Sequence, residues 1–150
     1  MTVIRSAART VASTGISVAV LVLVALFWIG ITAPTETHPL FYFGLIFVAG
    51  GAFSLLFAGV GAATAGSRAP AAPEADLRFF QGIRRLVLAM WLCAVVADAL
   101  GVLVVLAIAD GRGGTPLSAT TEVVVFIGAA VTIVWAGITS VVMRRVLPRG

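Results

Sequence analysis

One acidic residue, Asp98, stands inside a long apolar stretch of this 150-residue chain. The stretch covers 86–109, between the pair Arg84-Arg85 and Asp110, and Asp98 is the thirteenth of its 24 residues. An α-helix of this length extends about 36 Å, which is enough to cross a hydrocarbon core of about 30 Å. The sequence therefore predicts a carboxyl group near the midplane of a lipid bilayer.

Two hydroxyl residues are the predicted partners of this carboxyl group. An ionised carboxylate at the bilayer centre costs about 2.5 to 3.5 kcal/mol on insertion scales, and no basic residue falls at the same depth. Counting inward along the other apolar stretches places Ser54 and Thr132 at about this level. We expect an intramembrane polar cluster of Asp98, Ser54 and Thr132. We also expect Asp98 to be largely protonated unless water, a cation or a partner's basic residue reaches it.

Three interpretations of Asp98 remain open on the sequence alone. In the first, Asp98 is a structural anchor, either bonded within the bundle or paired with a cation on another subunit. Alternatively it relays protons or cations in a small transporter, because intramembrane acids commonly mark such paths. The third interpretation is a contact to a ligand such as a quinone.

Residues for other kinds of chemistry are scarce. His38 is the single histidine and Cys93 the single cysteine. A zinc site or a bis-histidine haem site therefore cannot be built from this chain alone. We interpret His38 as a loop residue at the membrane interface and Cys93 as an inert thiol in apolar surroundings. The sequence predicts no enzyme activity, no metal and no cofactor.

The composition indicates which elements must position Asp98. Hydrophobic residues make up 61% of the chain and charged residues 11%, whereas charged residues are about a quarter of a soluble domain. Backbone groups in lipid must bond to one another, and long continuous apolar runs favour helices over a barrel. We predict an all-α integral membrane protein. The net charge of +4 comes from ten arginines in loops beside the apolar runs, so it does not indicate nucleic-acid binding.

Four apolar segments define a single four-span transmembrane domain over residues 1–150. The predicted spans cover about 11–33, 40–65, 86–109 and 123–143. A cleaved signal peptide is the competing interpretation of the first segment, but Pro34 and the length of the run argue against it. The connection over 66–82 carries Pro73 and two acids typical of a helix start, so a short interfacial helix is predicted there, with Leu77 and Phe80 facing the membrane.

The arginines predict the orientation. Nine of the ten lie in the amino terminus, the 66–85 connection and the carboxyl terminus, and only Arg112 lies in the other loops. By the positive-inside rule both termini are cytoplasmic, and the protein is a multi-pass protein of the plasma (inner) membrane. Four of these arginines are predicted to act as topology anchors that meet lipid headgroups, namely Arg84, Arg85, Arg144 and Arg145.

Small residues recur every fourth position in the second and fourth spans. The stretches 50–59 and 128–137 share four of ten residues at an offset of 78, which suggests a duplicated hairpin, although chance similarity is common in so apolar an alphabet. Such ridges let helix backbones approach closely in lipid. They are predicted at helix contacts, within the bundle or at an interface to another chain, and besides Ser54 and Thr132 they comprise Gly50, Ala58, Ala62, Gly128, Ala136 and Ser140.

Two functions from different classes fit these features. The first is a non-catalytic accessory or assembly subunit of a larger membrane complex, because side chains able to do chemistry are scarce and helix-contact faces are abundant. The alternative is a small proton- or cation-coupled transporter or channel that works as an oligomer with Asp98 as its relay. The predicted partners are the lipid bilayer and other membrane subunits or further copies of the chain, with no nucleic acid.

Overall fold

The computed structural model describes residues 2–32, 39–68, 77–108 and 119–147, with the side chains of 2–4 and 119–120 excepted. These residues form four long α-helices, each long and apolar enough to cross a membrane. The helices are α1 (Thr2–Thr32), α2 (Pro39–Arg68), α3 (Leu77–Ala107) and α4 (Ala119–Val146). The predicted all-helical four-helix fold is confirmed.

Local sequence explains several helix ends. Pro39 is the first residue of α2, where its missing N–H costs nothing and its fixed φ suits a helix. Glu122 lies in the first turn of α4, and Arg144 and Arg145 lie in its last turn. This arrangement places each charge at the favourable end of the helix dipole.

The helices extend beyond the apolar segments that predicted them. A helix of about 30 residues extends about 45 Å, which exceeds the hydrocarbon core by about 15 Å. The predicted 66–82 connection is correspondingly shorter, since α2 continues to Arg68 and α3 begins at Leu77. Residues 77–82 are therefore the first turns of α3, and Phe80 is buried in the bundle instead of facing lipid. The predicted helix start at Pro73, like His38 and Arg112, lies outside the described residues.

The buried side chains form three layers that follow one another along the axis of the bundle. One layer joins the amino-terminal part of α1 to the carboxyl-terminal parts of α2 and α4 and to the start of α3, through Ala8, Ala62, Ile83 and Met143 among others. The opposite layer includes Leu26, Leu45, Val105 and Val125. Successive helices therefore run in opposite directions, and α2 and α4 run the same way. We call the end with the first layer the arginine end.

A middle layer lies between these two. It consists of Ala19, Leu55, Ala94 and Ala136, one residue from each helix. Each helix packs against its neighbours in the chain, α4 also packs against α1, and α2 and α4 meet across the centre. The predominance of alanine in the middle layer allows this close approach.

Candidate functional site

Asp98 lies on the inner face of α3, next to the middle layer. Its side chain has no solvent exposure at all. It is one helical turn from Ala94 and three residues before Gly101, and both of these small residues are buried as well. The carboxyl group therefore lies on the buried face of α3, with a small residue on either side of it.

Thr132 of α4 forms a hydrogen bond with Asp98. The Thr132 hydroxyl oxygen is 2.6 Å from Asp98 Oδ2 and 2.9 Å from the carbonyl oxygen of Ala129 in its own helix. A hydroxyl has one proton to donate, so it cannot bond fully to two acceptors.

The protonation state of Asp98 decides how these two contacts are satisfied. If Asp98 is a carboxylate, Thr132 donates to Oδ2 and its contact with Ala129 is lost or shared. If Asp98 is a neutral acid, Oδ2 donates its proton to Thr132, which donates its own proton to Ala129. The second arrangement makes both hydrogen bonds and buries no charge, so the geometry favours the neutral acid.

The other carboxyl oxygen has a different environment. Asp98 Oδ1 is buried and has no hydrogen-bond partner among the described residues. It faces Gly51 of α2, where an added Cβ would overlap the Asp98 carboxyl group. Only glycine leaves room for the Asp98 side chain at this point, so Gly51 is part of the site, although it lies outside the predicted polar cluster.

A second glycine contact holds α2 and α3 together on the side of Asp98 away from the middle layer. A Cβ at Gly101 would come within 2.6 Å of Val48 Cγ2 and 3.0 Å of the Gly44 carbonyl oxygen. Real Cβ atoms essentially never approach other atoms to 2.6 Å, so a side chain at Gly101 would displace Val48 and crowd the α2 backbone at Gly44. The spacing between α2 and α3 around Asp98 is therefore set by glycine.

Ser54 does not complete the predicted polar cluster. It is buried, but its hydroxyl donates to the Gly50 carbonyl oxygen one turn earlier in α2, at 2.9 Å. The hydroxyl proton is therefore used within α2. The structure brings together Asp98, Thr132 and Gly51, with Ser54 at a similar depth but bonded to its own helix.

The small-residue ridges lie inside the bundle. Gly50 is partly buried, and the other ridge residues are buried, namely Ala58, Ala62, Gly128, Ala136 and Ser140. Packing between the helices of one chain thus occupies these faces. A partner in the membrane would contact the outer surface instead.

The four predicted headgroup anchors lie toward the arginine end. Arg85, Arg144 and Arg145 are exposed, whereas Arg84 is partly buried and its Nε has no hydrogen-bond partner among the described residues. At the same end the guanidinium of Arg68 lies over the ring of Phe79, 4.3 Å from its centroid. This cation–π contact joins the last turn of α2 to the first turn of α3.

Metal-ligating and nucleophilic side chains are scarce in the described part of the chain. No group of three His, Cys, Asp or Glu residues that could hold a metal occurs there. Cys93 is a free thiol exposed on the outside of α3, beside Phe47 and Leu92 of an apolar cleft. In comparisons with protein-family models, with curated proteins and with solved structures, nothing matches this chain.

Proposed function

We propose that the protein is a non-catalytic accessory or assembly subunit of a larger membrane complex. The observation that carries this proposal is the complete enclosure of Asp98 between three helices, where it is bonded to Thr132 and covered by Gly51. The one acid buried among the described helices thus stabilises the contact between α3 and α4 through its hydrogen bond with Thr132. A subunit that binds other chains through its outer surface needs helices held in fixed positions, and a buried hydrogen bond between helices contributes to this.

A partner's helix would bind in an apolar groove on the outer surface. A cleft of about 720 Å³ lies between the second half of α1 and the first half of α2, lined by apolar residues such as Val24, Phe27, Tyr42 and Phe53. Phe27 is 71% exposed and Phe53 48% exposed. In lipid, helix association depends on close packing, and a groove with aromatic walls provides a large packing surface for one apolar helix.

Purification of the full chain in mild detergent, followed by mass spectrometry of co-purifying chains, tests this proposal. We expect defined membrane proteins in stoichiometric amounts. The variant Gly30→Leu should reduce their yield, because the side chain would enter the cleft and its Cβ meets only ordinary contact, at 3.7 Å from Leu45. Leu103→Phe, on an exposed face of α3, is the matched control.

A single monodisperse species containing only this chain would contradict the subunit proposal. Cys93 provides a direct test for homo-oligomers, since it is exposed on α3 and has no second cysteine in the chain. If oxidative cross-linking in membranes gives a dimer of this chain as the main product, that result would also contradict the subunit proposal.

The second candidate function is a proton- or cation-coupled transporter that works as an oligomer. The observation that favours it is the buried Asp98 Oδ1 without a hydrogen-bond partner among the described residues. A carboxyl oxygen in this state can accept a hydrogen bond from water or coordinate a cation that arrives by a transient path. Against it, the Asp98 side chain has no solvent exposure.

Proton flux in liposomes distinguishes the two functions. A relay predicts flux with the wild-type protein that falls to background with Asp98→Asn, which cannot cycle between acid and carboxylate. Equal background flux in both proteins would contradict the relay and leave the subunit proposal standing.

A further inference from the structure

A second cleft lies at the arginine end, on the outside of α1 and α2. It measures about 360 Å³ and is lined on α1 by Arg5, Arg9, Ala12, Ser13 and Ile16, and on α2 by Ala63, Gly66 and Ser67. The two arginines are four residues apart, so they project from one face of α1. The cleft thus combines two cations at its outer end with an apolar floor that leads toward the membrane interior.

The floor of the cleft is formed by a tight helix crossing. A Cβ at Gly66 would lie 2.9 Å from Ala8 Cβ, and a Cβ at Gly59 would lie 2.8 Å from Ile16 Cγ1. The backbones of α1 and α2 therefore meet closely, and the groove above them stays open because Ala12 and Ala63 are small. Its walls are fixed by regular helices and not by loops.

Arg5 and Arg9 have no acidic partner among the described residues. The described carboxylates are those of Asp98, in the bundle interior, and Glu122, in the first turn of α4 at the opposite end. Arg68, the nearby cation of α2, lies over Phe79 and not in the cleft. Both arginine side chains are exposed, so two positive charges without an acidic partner among the described residues lie at one end of an apolar groove.

We propose that this cleft binds an anionic phospholipid, with its phosphate between Arg5 and Arg9 and the start of one acyl chain along Ala12, Ile16 and Ala63. Basic pockets between membrane helices bind phosphate headgroups in this way. A soluble phosphate would use the arginines alone, whereas a lipid also uses the apolar floor. The charge and the floor together select an anionic lipid.

Native mass spectrometry of the delipidated full chain, titrated with phosphatidylglycerol, tests this site. Phosphatidylcholine with the same acyl chains is the neutral comparison. Each arginine beside an anionic headgroup contributes about five-fold to affinity, so Arg5→Gln with Arg9→Gln should weaken phosphatidylglycerol binding about 25-fold. The matched pair Arg68→Gln with Arg78→Gln removes the same charge from exposed arginines that neither line the cleft nor belong to the predicted headgroup anchors, and should change it little.

Two further variants separate the cleft from general attraction to charge. Ala63→Phe fills the groove and keeps both arginines, and we expect it to weaken lipid binding several-fold. Arg5→Lys with Arg9→Lys keeps the charge and should retain most of the binding, which shows that loss in the glutamine variant is not a folding defect.

Three results would overturn the proposal. Equal losses from the two arginine pairs would indicate diffuse electrostatic attraction. Unchanged binding with Ala63→Phe would remove the apolar floor from the site. Full competition by millimolar inorganic phosphate would indicate a site for free phosphate and not for a lipid.

Discussion

A carboxyl group at the centre of a bilayer persists where its polar atoms have partners. Asp98 has a partner on one side, where Thr132 lies 2.6 Å from Oδ2, and a glycine on the other. The Thr132 hydroxyl donates to Asp98 when the acid is ionised; when the acid is neutral, Asp98 donates to Thr132 and Thr132 donates to Ala129. The stabilising effect therefore depends on the hydroxyl of Thr132 more than on any charge.

Removal of that hydroxyl should destabilise the bundle. Thr132→Val keeps the shape of the side chain but leaves Asp98 without its bond, and hydrogen bonds between membrane helices contribute about 0.6 kcal/mol on average and up to about 1.7 kcal/mol. We expect a loss near the upper value in the free energy of unfolding, measured by reversible denaturation in mixed micelles.

Thr139→Val is the control for this loss. Thr139 is also buried in α4, but its hydroxyl donates to the Trp135 carbonyl oxygen in the same helix, at 2.8 Å. A smaller loss is expected there. A double-mutant cycle of Thr132→Val with Asp98→Ala should give a clear coupling energy, and additive effects would contradict a direct bond between the two side chains.

Gly51 packs directly against the Asp98 carboxyl group. Gly51→Ala should destabilise the protein by about 1 to 3 kcal/mol, because its Cβ would overlap the Asp98 carboxyl group and overpacking in a core costs this much. Gly50→Ala, one position away, places a Cβ 3.7 Å from Ala97 Cβ, an ordinary contact. Thermal unfolding in detergent should separate the neighbours, and equal midpoints would contradict the close packing of Gly51 on Asp98.

Depth along a helix was readable from the sequence, but direction around it was not. Counting residues placed Ser54 and Thr132 near the level of Asp98, and Thr132 does bond to it. Ser54 lies three residues after Gly51, so the two are about 60° apart around the helix and about 4.5 Å apart along it. Which of the two meets Asp98 depends on the exact rotation and height of α2 against α3, and glycine contacts between these helices determine both.

Among the elements, α2 and α3 differ from α1 and α4 in how they meet. The first pair approaches through glycine, at Gly44, Gly51 and Gly101. The second pair includes a large side chain, since the indole N–H of Trp135 in α4 donates to the Val11 carbonyl oxygen in α1 at 3.3 Å. The distance between α2 and α3 is set by close approach of their backbones, whereas the distance between α1 and α4 is set by the indole ring of Trp135, which acts as a spacer.

The role of this spacer can be measured by Trp135→Phe. The substitution keeps an aromatic ring but removes the indole N–H, so we expect a loss of about 0.5 to 1.5 kcal/mol in the free energy of unfolding. Trp28→Phe is the control, because Trp28 is 67% exposed on α1. Equal effects of both substitutions would contradict a specific bond from α4 to α1.

The start of α3 was less predictable than its membrane span. Arg78, Arg84 and Arg85 precede the apolar run, and Pro73 with two acids predicts a separate surface helix in the connection before it. These arginines end the hydrophobic run without ending the helix, because long side chains can extend to the headgroups while their stems cover apolar neighbours. Phe80 and Ile83, buried between them, pack α3 against the bundle.

For the whole molecule, the four spans and their alternating directions follow from the spacing of apolar runs. The layers of the core join the ends of helices as an up-and-down bundle requires. Which side of the membrane faces the arginine end depends on how the charges at the helix ends interact with the cell's membrane and not on packing within the bundle, and for this reason the orientation stays a prediction from the arginines.

Reporter fusions test that orientation. Alkaline phosphatase fused after Gly150 should be inactive, because that enzyme folds only outside the cytoplasm, whereas a fluorescent reporter that folds in the cytoplasm should be bright at the same position. The reverse pattern would contradict the cytoplasmic placement of the carboxyl terminus. Fusion of each reporter before Met1 should repeat the result, since an even number of spans leaves both termini on one side.

The bond between Asp98 and Thr132 also has a consequence for biosynthesis. Thr132 lies 34 residues after Asp98, and a ribosome needs roughly 2 to 7 s to add that many residues at about 5 to 20 residues per second. During this interval α3 can enter the bilayer while its acid lacks the α4 hydroxyl. A nascent chain arrested between α3 and α4 would therefore expose an unmatched carboxyl group in lipid, a chemical mark by which membrane quality control can distinguish it from the finished protein.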